Sequence, residues 1–348
     1  MPSKLPDRNA HRMIRKEDIM CVEKTGFGPF WEEFLVFIEV GERIGGLYGL
    51  RVMKKKKIVD YGEQNMMHHE YYVRSRIRHS FLINTICGFQ DYEHLFLLSE
   101  QSQNYLIKLI NSEGRFSAKV SRFYLAEILL AIQHLHSKGL SYGFLSPSNM
   151  MIGDDGHIKL KYDFLNRIDC VVGDPERNVE YASIDYKERG EISPVSDYWS
   201  MGIILYYMLV GVTPFAAPDT ALVVARIKRG RIEFPEFLDE NARDLISRLL
   251  AVSPRDRLGY AEGDAETIRR HPFFGGMNWE EVLQKKVAPP FLFNTTRKEC
   301  LSRSANLKVL YTTDYLPDQK DGYGQTFRGY GATYAPDTYR KIWRCGYI

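Results

Sequence analysis

Two hydrophobic periods divide the chain near residue 100. Before it, apolar residues alternate or cluster in short blocks, the signature of strands. Residues 19–40 read as strands around a glycine turn: Thr25-Gly26-Phe27-Gly28-Pro29-Phe30-Trp31, then Phe34-Leu35-Val36-Phe37-Ile38. Gly41-Glu42-Arg43-Ile44-Gly45-Gly46 reads as a hairpin turn and residues 47–53 as the next strand. Residues 63–77 predict a helix, and 81–86 and 94–98 two more strands. Beyond residue 100 the spacing becomes helical, with helices expected at 105–110, 121–135, 196–210, 220–229, 241–250 and 265–270. From residue 275 the pattern fades into a segment rich in Tyr, Gly, Thr and Asp, expected to lie extended on the folded body. The pattern predicts an α+β chain with a polar N-terminal segment at 1–18. A small, mainly antiparallel lobe with one helix is expected at about 19–100, a larger, mainly helical lobe at about 101–274, and a tail at 275–348.

Composition narrows the class. The 348 residues suffice for a sizeable core, and 44% apolar with 26% charged residues is ordinary for a globular protein. A net charge of +3 gives no drive toward nucleic acid or a membrane surface. The cysteines are odd in number and lack a CxxC pair, which favours reduced thiols in an intracellular compartment, cytoplasmic or nuclear. Residues 1–16 are polar and basic, without the apolar core of a secretory signal. The most apolar run, 198–215, falls short of the about 20 residues a membrane span needs and reads as a buried helix. Asp197 is expected to cap its start, and Gly211 with Pro214 to end it. The lysines at 54–57 read as a solvated connection, with a docking patch as the alternative. His68 and His69 point about 100° apart on a helix, so they read as polar residues and not as a metal pair.

The stretch that bears on chemistry is Tyr142-Gly143-Phe144-Leu145-Ser146-Pro147-Ser148-Asn149, between a helical run and the alternating Gly156-His157-Ile158-Lys159-Leu160-Lys161. Other pieces follow in order: Asp197-Tyr198-Trp199-Ser200-Met201-Gly202, Thr213-Pro214-Phe215, Pro254-Arg255-Asp256-Arg257-Leu258-Gly259, His271-Pro272-Phe273-Phe274, Asn278-Trp279 and Ala288-Pro289-Pro290-Phe291. Together they resemble the AGC group of Ser/Thr protein kinases, the group of the cAMP-dependent kinase catalytic subunit. The resemblance covers roughly residues 19–293. It implies a two-lobed kinase-like fold with an AGC-type C-terminal tail, and ATP, with or without Mg²⁺, as the cofactor.

Carried over position by position, the resemblance sets Gly26 and Gly28 at the first two glycines of the phosphate loop and Trp31 at the third. The alternative for that stretch is a hairpin turn with no ligand. Arg51 stands at the strand lysine and Glu70 at its helix partner, and an Arg51–Glu70 pair would tie helix to sheet without a nucleotide. Phe144 stands at the proton acceptor, Gly143 at the preceding arginine and Ser146 at the loop lysine, so no catalytic residue is assigned. Asn149 is retained as a metal ligand. An ungapped register puts Tyr162 at the Asp of Asp-Phe-Gly, while a one-residue insertion brings in Asp163-Phe164-Leu165 and makes Asp163 the second ligand. No Ser or Thr lies between Asp163 and Ala182 to receive a phosphate. Asp185, at the Glu of Ala-Pro-Glu, is expected to pair with Arg257. The tail lacks the terminal Phe-x-x-Phe with which many AGC kinases brace their small lobe. The expected function is that of a catalytically impaired pseudokinase, a protein-binding or allosteric scaffold in intracellular signalling. A kinase regulatory subunit or inhibitor is the candidate partner. An atypical Ser/Thr kinase using Arg51, Asn149 and Asp163, and a nucleotide sensor without catalysis, stand as alternatives.

Overall fold

A computed structural model describes residues 14–15, 19–40, 44–143, 145–162, 179–190, 192–260, 265–293, 322–323, 325–330, 332–333 and 342–343. The expectations placed on Gly41-Glu42-Arg43, Phe144, Asp163-Phe164-Leu165 and the rest of the 163–178 segment lie outside the described residues, as do most of the N-terminal segment and most of the tail. The chain divides into two compact units, one from residues 1–78, 84–101 and 295–348, the other from 79–83 and 102–294. The first is built on a mainly antiparallel sheet and the second is mainly helical, an α+β fold.

In the first unit the chain runs through β1 (Ile14–Arg15), β2 (Ile19–Phe27), β3 (Trp31–Val40), β4 (Ile44–Lys54), α1 (Lys55–Asp60), α2 (Gln64–Arg76), β5 (Thr85–Gln90) and β6 (His94–Glu100). Strands β2 to β6 pair antiparallel in the order β5-β6-β4-β3-β2. Alternation along β3 explains the layers. Phe34, Val36 and Ile38 join Leu50, Val52, Phe96 and Leu98 on one face, while Leu35 and Phe37 pack with Val22 on the other. The lysine run is not a solvated connection throughout. It opens α1, where Lys54, Lys56 and Lys57 are exposed, while Lys55 is fully buried with its Nζ 5.8 Å from the ring centre of Phe327. One helical turn aims that ammonium inward, where an aromatic face receives it. The unit therefore holds two helices between β4 and β5, where one was expected.

The strand expected at 81–86 begins instead at Thr85. Phe81 and Ile83 bond to Leu160 of the second unit, at 2.8 and 2.9 Å, and Phe81 and Leu82 are core residues. The second unit continues with β7 (Asn104–Tyr105), α3 (Leu106–Glu113), α4 (Ala118–His136), β8 (Met150–Ile152), β9 (Ile158–Leu160), α5 (Ile184–Arg189) and α6 (Pro194–Val210). It ends with α7 (Thr220–Arg229), α8 (Glu240–Leu249), α9 (Ala265–Arg269) and α10 (Trp279–Leu283). Helix α6 is buried from Ser196 to Leu209, as its apolar run predicts. Its cap is not Asp197. Ser193 Oγ accepts from Ser196 N at 3.3 Å, and Asp197, inside the helix, turns its carboxylate elsewhere. Gly211 ends the helix in the left-handed region at φ 87°. Among the described residues no helix is long and apolar enough to cross a membrane.

The chain then returns to the first unit. β10 (Ala332–Thr333) adds to the sheet parallel to β5, and β11 (Ile342–Trp343) pairs with β1. Phe327 and Tyr330 are buried, and Gln90 Nε2 donates to the carbonyls of both, at 3.0 and 2.9 Å. His68 Nε2 lies 2.9 Å from the carbonyl of Thr326, and the Tyr71 and Tyr330 rings are 4.8 Å apart. Within the tail, Phe327-Arg328-Gly329-Tyr330 presents two aromatics three residues apart, both buried in the first unit.

Candidate functional site

The sequence-derived site residues fall on both units, and each group is built by its own elements. On the first, β2 and β3 are joined by a tight turn in which Gly28 N donates to the Trp31 carbonyl at 2.9 Å. The turn is fastened to the junction of β4 and α1. Lys54 N donates to the Phe30 carbonyl at 3.1 Å, Lys57 Nζ donates to that of Pro29 at 3.2 Å, and the Phe30 ring is buried 5.8 Å from Tyr61. The Trp31 indole lies back over the glycines. A Cβ on Gly28 would sit 2.2 Å from its Nε1, and one on Gly26 would sit 3.3 Å from its six-membered ring. Gly28 is thus required by the close approach of the chain's own indole.

Arg51 is 2% exposed. Its Nη1 lies 3.1 Å from Glu70 Oε1, its Nη2 3.5 Å from Glu33 Oε1, and its guanidinium carbon 5.0 Å from the centre of the Trp31 ring. Arg74 Nη1 meets the same Glu70 oxygen at 3.0 Å. Two guanidinium groups and two carboxylates are thus linked in one buried network. Glu33 was not among the residues expected from sequence. The signal for it lay in the register: a hairpin that pairs Val40 with Ile44 necessarily pairs Glu33 with Arg51.

On the second unit the loop after α4 hangs from Asp197. Its Oδ2 accepts from Tyr142 N at 2.8 Å, its Oδ1 accepts from Gly143 N at 2.7 Å, and His136 Nε2 lies 2.8 Å from Oδ2. Gly143 has φ 88°, a conformation that costs a side chain but not glycine. Tyr142 O–H donates to the Lys161 carbonyl at 2.7 Å, and its ring lies 6.0 Å from that of Tyr162. Leu145, Ser146 and Pro147 are buried, and Ser146 Oγ has no hydrogen-bond partner among the described residues. A 3₁₀ turn, Pro147–Asn149, brings Asn149 N to the Ser146 carbonyl at 3.0 Å. Asp163, the other expected metal ligand, and Phe144 lie outside the described residues. Further along, Arg257 Nη1 meets Asp185 Oδ2 at 3.0 Å, and the guanidinium donates to the carbonyls of Ala251, Val195 and Val252 and lies over Trp199.

These features define a kinase-type scaffold, and comparison with known proteins agrees. The family model described as the protein kinase domain matches residues 35–274, and the chain belongs to that family. It is similar to the human cAMP-dependent protein kinase catalytic subunit PRKX, 31% identical over 283 residues, 79% of this chain and 77% of that protein. It is 33% identical over 260 residues to a RAC family serine/threonine-protein kinase homolog of Dictyostelium discoideum, covering 72% of this chain and 57% of that one. It is 30% identical over 293 residues to the cAMP-dependent protein kinase catalytic subunit of the same organism. That match covers 82% of this chain and 44% of the longer protein. Its relatives are thus AGC-like kinases.

Protein kinase domains in general use ATP and Mg²⁺. The phosphate groups of ATP do not fit the glycine turn and Arg51 as they stand. The space over Gly28 is filled by an indole, and the strand cation is shared by two carboxylates.

Proposed function

We propose that this chain is a catalytically impaired AGC-group pseudokinase that acts as a protein-binding or allosteric scaffold in intracellular signalling. Its kinase-like domain spans residues 19–274, preceded by a polar segment at 1–18 and followed by an AGC-type tail at 275–348. One observation carries the reading. The loop kept in place by Asp197 bears Phe144 where phosphoryl transfer needs a proton acceptor. A phenyl ring has no lone pair to orient a hydroxyl, and loss of a positioned base costs about 10²–10⁴ in rate. Ser146, at the loop lysine position, supplies no cation for a transferred phosphoryl group. The pairs Asp185–Arg257 and Arg51–Glu70 hold the scaffold without using a nucleotide. Protein partners follow from this reading, with a kinase regulatory subunit or inhibitor as the candidate class.

A second reading, an atypical Ser/Thr kinase, draws on the retained Asn149 and the intact loop frame. The test is transfer of the ATP γ-phosphate to a basic Ser/Thr peptide by the purified full chain beside its Asn149→Ala variant. The expected result is no incorporation by the wild type above that of the variant. Incorporation that Asn149→Ala abolishes would establish the kinase reading.

A further inference from the structure

Two parts of the first unit that a phosphate would use, the glycine turn and the strand cation, are taken up by this chain's own side chains. β3 places Trp31 and Glu33 two residues apart, hence on one face of the sheet. β4 places Arg51 directly across from Glu33 on that face. The indole covers the backbone at Gly28, and the turn carrying it is tied to Lys54 and Lys57. We propose that Glu33 and Trp31 are a built-in substitute for the phosphates of a nucleotide: Glu33 supplies the anion that Arg51 would otherwise offer to a phosphate, and Trp31 occupies the glycine surface a phosphate would lie on.

The proposal rests on the pseudokinase reading and gives it a physical cause. With Glu33 in place, Arg51 is paired to two of the chain's own buried carboxylates, Glu33 and Glu70, with Arg74 on the second. A phosphate approaching Arg51 meets a carboxylate already on the same guanidinium. Like charges that share one guanidinium in a partly desolvated site repel strongly enough to lower affinity by at least about tenfold. The exclusion extends to phosphate-bearing ligands of any kind, not to ATP alone.

The test is calorimetric titration of inorganic tripolyphosphate, in EDTA so that no metal takes part, into the full-length wild type, Glu33→Gln and Glu33→Gln/Trp31→Gly. Adenosine, which carries no phosphate, is titrated in parallel. The double variant is expected to bind tripolyphosphate at least about tenfold more tightly than the wild type, and Glu33→Gln to gain in the same direction, because one repulsive charge has gone. Adenosine affinity is expected to stay within about twofold across the three proteins, since its binding does not involve that charge. Equal tripolyphosphate affinity in wild type and double variant overturns the proposal, and so does an equal gain for adenosine. Should the glycine variant fail to fold, the isosteric Glu33→Gln decides alone: folded by circular dichroism and no tighter than wild type for tripolyphosphate, it sinks the idea. The pseudokinase reading falls separately, on peptide phosphorylation by the wild type, whatever the titration gives.

Discussion

Single residues in this chain hold roles that their types do not announce. Asp197 stands inside a helix, yet its carboxylate takes two backbone N–H groups of the loop at Tyr142 and Gly143 and faces His136. In Asp197→Asn one of those donors faces an amide N–H₂ in place of an oxygen. The loss should be at least about 1–3 kcal/mol, the cost of leaving a buried donor without its acceptor. Urea denaturation of the full chain measures it, and a variant as stable as the wild type would refute the anchoring role. Trp31 shows the opposite balance. Its buried Nε1–H has no hydrogen-bond partner among the described residues, so the ring fills space at a polar cost. Trp31→Phe keeps an aromatic filler and removes the orphan. It should leave stability within about 1 kcal/mol of the wild type or raise it, whereas Gly28→Ala, with a Cβ 2.2 Å from the indole, should lower it.

At the scale of elements, α4 is fixed at its last turn by a histidine pair. The rings of His79 and His134 stack 5.0 Å apart, and His79 Nδ1 accepts from Phe81 N at 3.3 Å. Burial first, then the charges of His134 and Lys159, lowers the His79 pKa from 6.5 to about 4. The sign comes from linkage. Between those values the unfolded chain binds a proton that the folded chain refuses, so the stability from this group is present above about pH 6.5 and is lost as pH falls toward 4. His79→Gln should flatten that part of the profile. Thermal midpoints of both proteins at about pH 7 and about pH 4.5 test it, parallel profiles being the contrary outcome. The elements were partly legible beforehand. Helix α6 follows from its apolar run, because burial on all sides leaves a local signature. The strand expected at 81–86 shifted to Thr85–Gln90, because Phe81-Leu82-Ile83 finds its hydrogen bonds and its core against Leu160, far along the chain.

Across the whole molecule, the main long-range event on the first unit is the return of the tail. Gln90 holds the carbonyls of Phe327 and Tyr330 across more than two hundred residues of chain, and the buried Phe327 ring faces Lys55. Phe327→Ala should cost about 3–5 kcal/mol where the cavity does not collapse. Hydrogen exchange gives the sharper readout: protection should fall in α2 and β5 and stay unchanged in α6, which belongs to the other unit. Uniform loss in both units would contradict that placement of the tail.

The order of residues alone carried what is local and periodic. It set the change from strands to helices near residue 100, the buried character of α6, the glycine end of that helix, and the run of motifs that places the chain among protein kinase domains. It also shows that residue 144, which the resemblance sets at the proton acceptor, is a phenylalanine. Which residues meet across the chain came from the folded arrangement. It turned Lys55 inward, gave Asp197 a loop to hold, set Glu33 against Arg51 and folded Phe327 onto Gln90. Periodicity tells which face of an element is buried but not which distant element covers it, and a charge declares its sign but not its partner. Those choices depend on register and on contacts between segments remote in sequence.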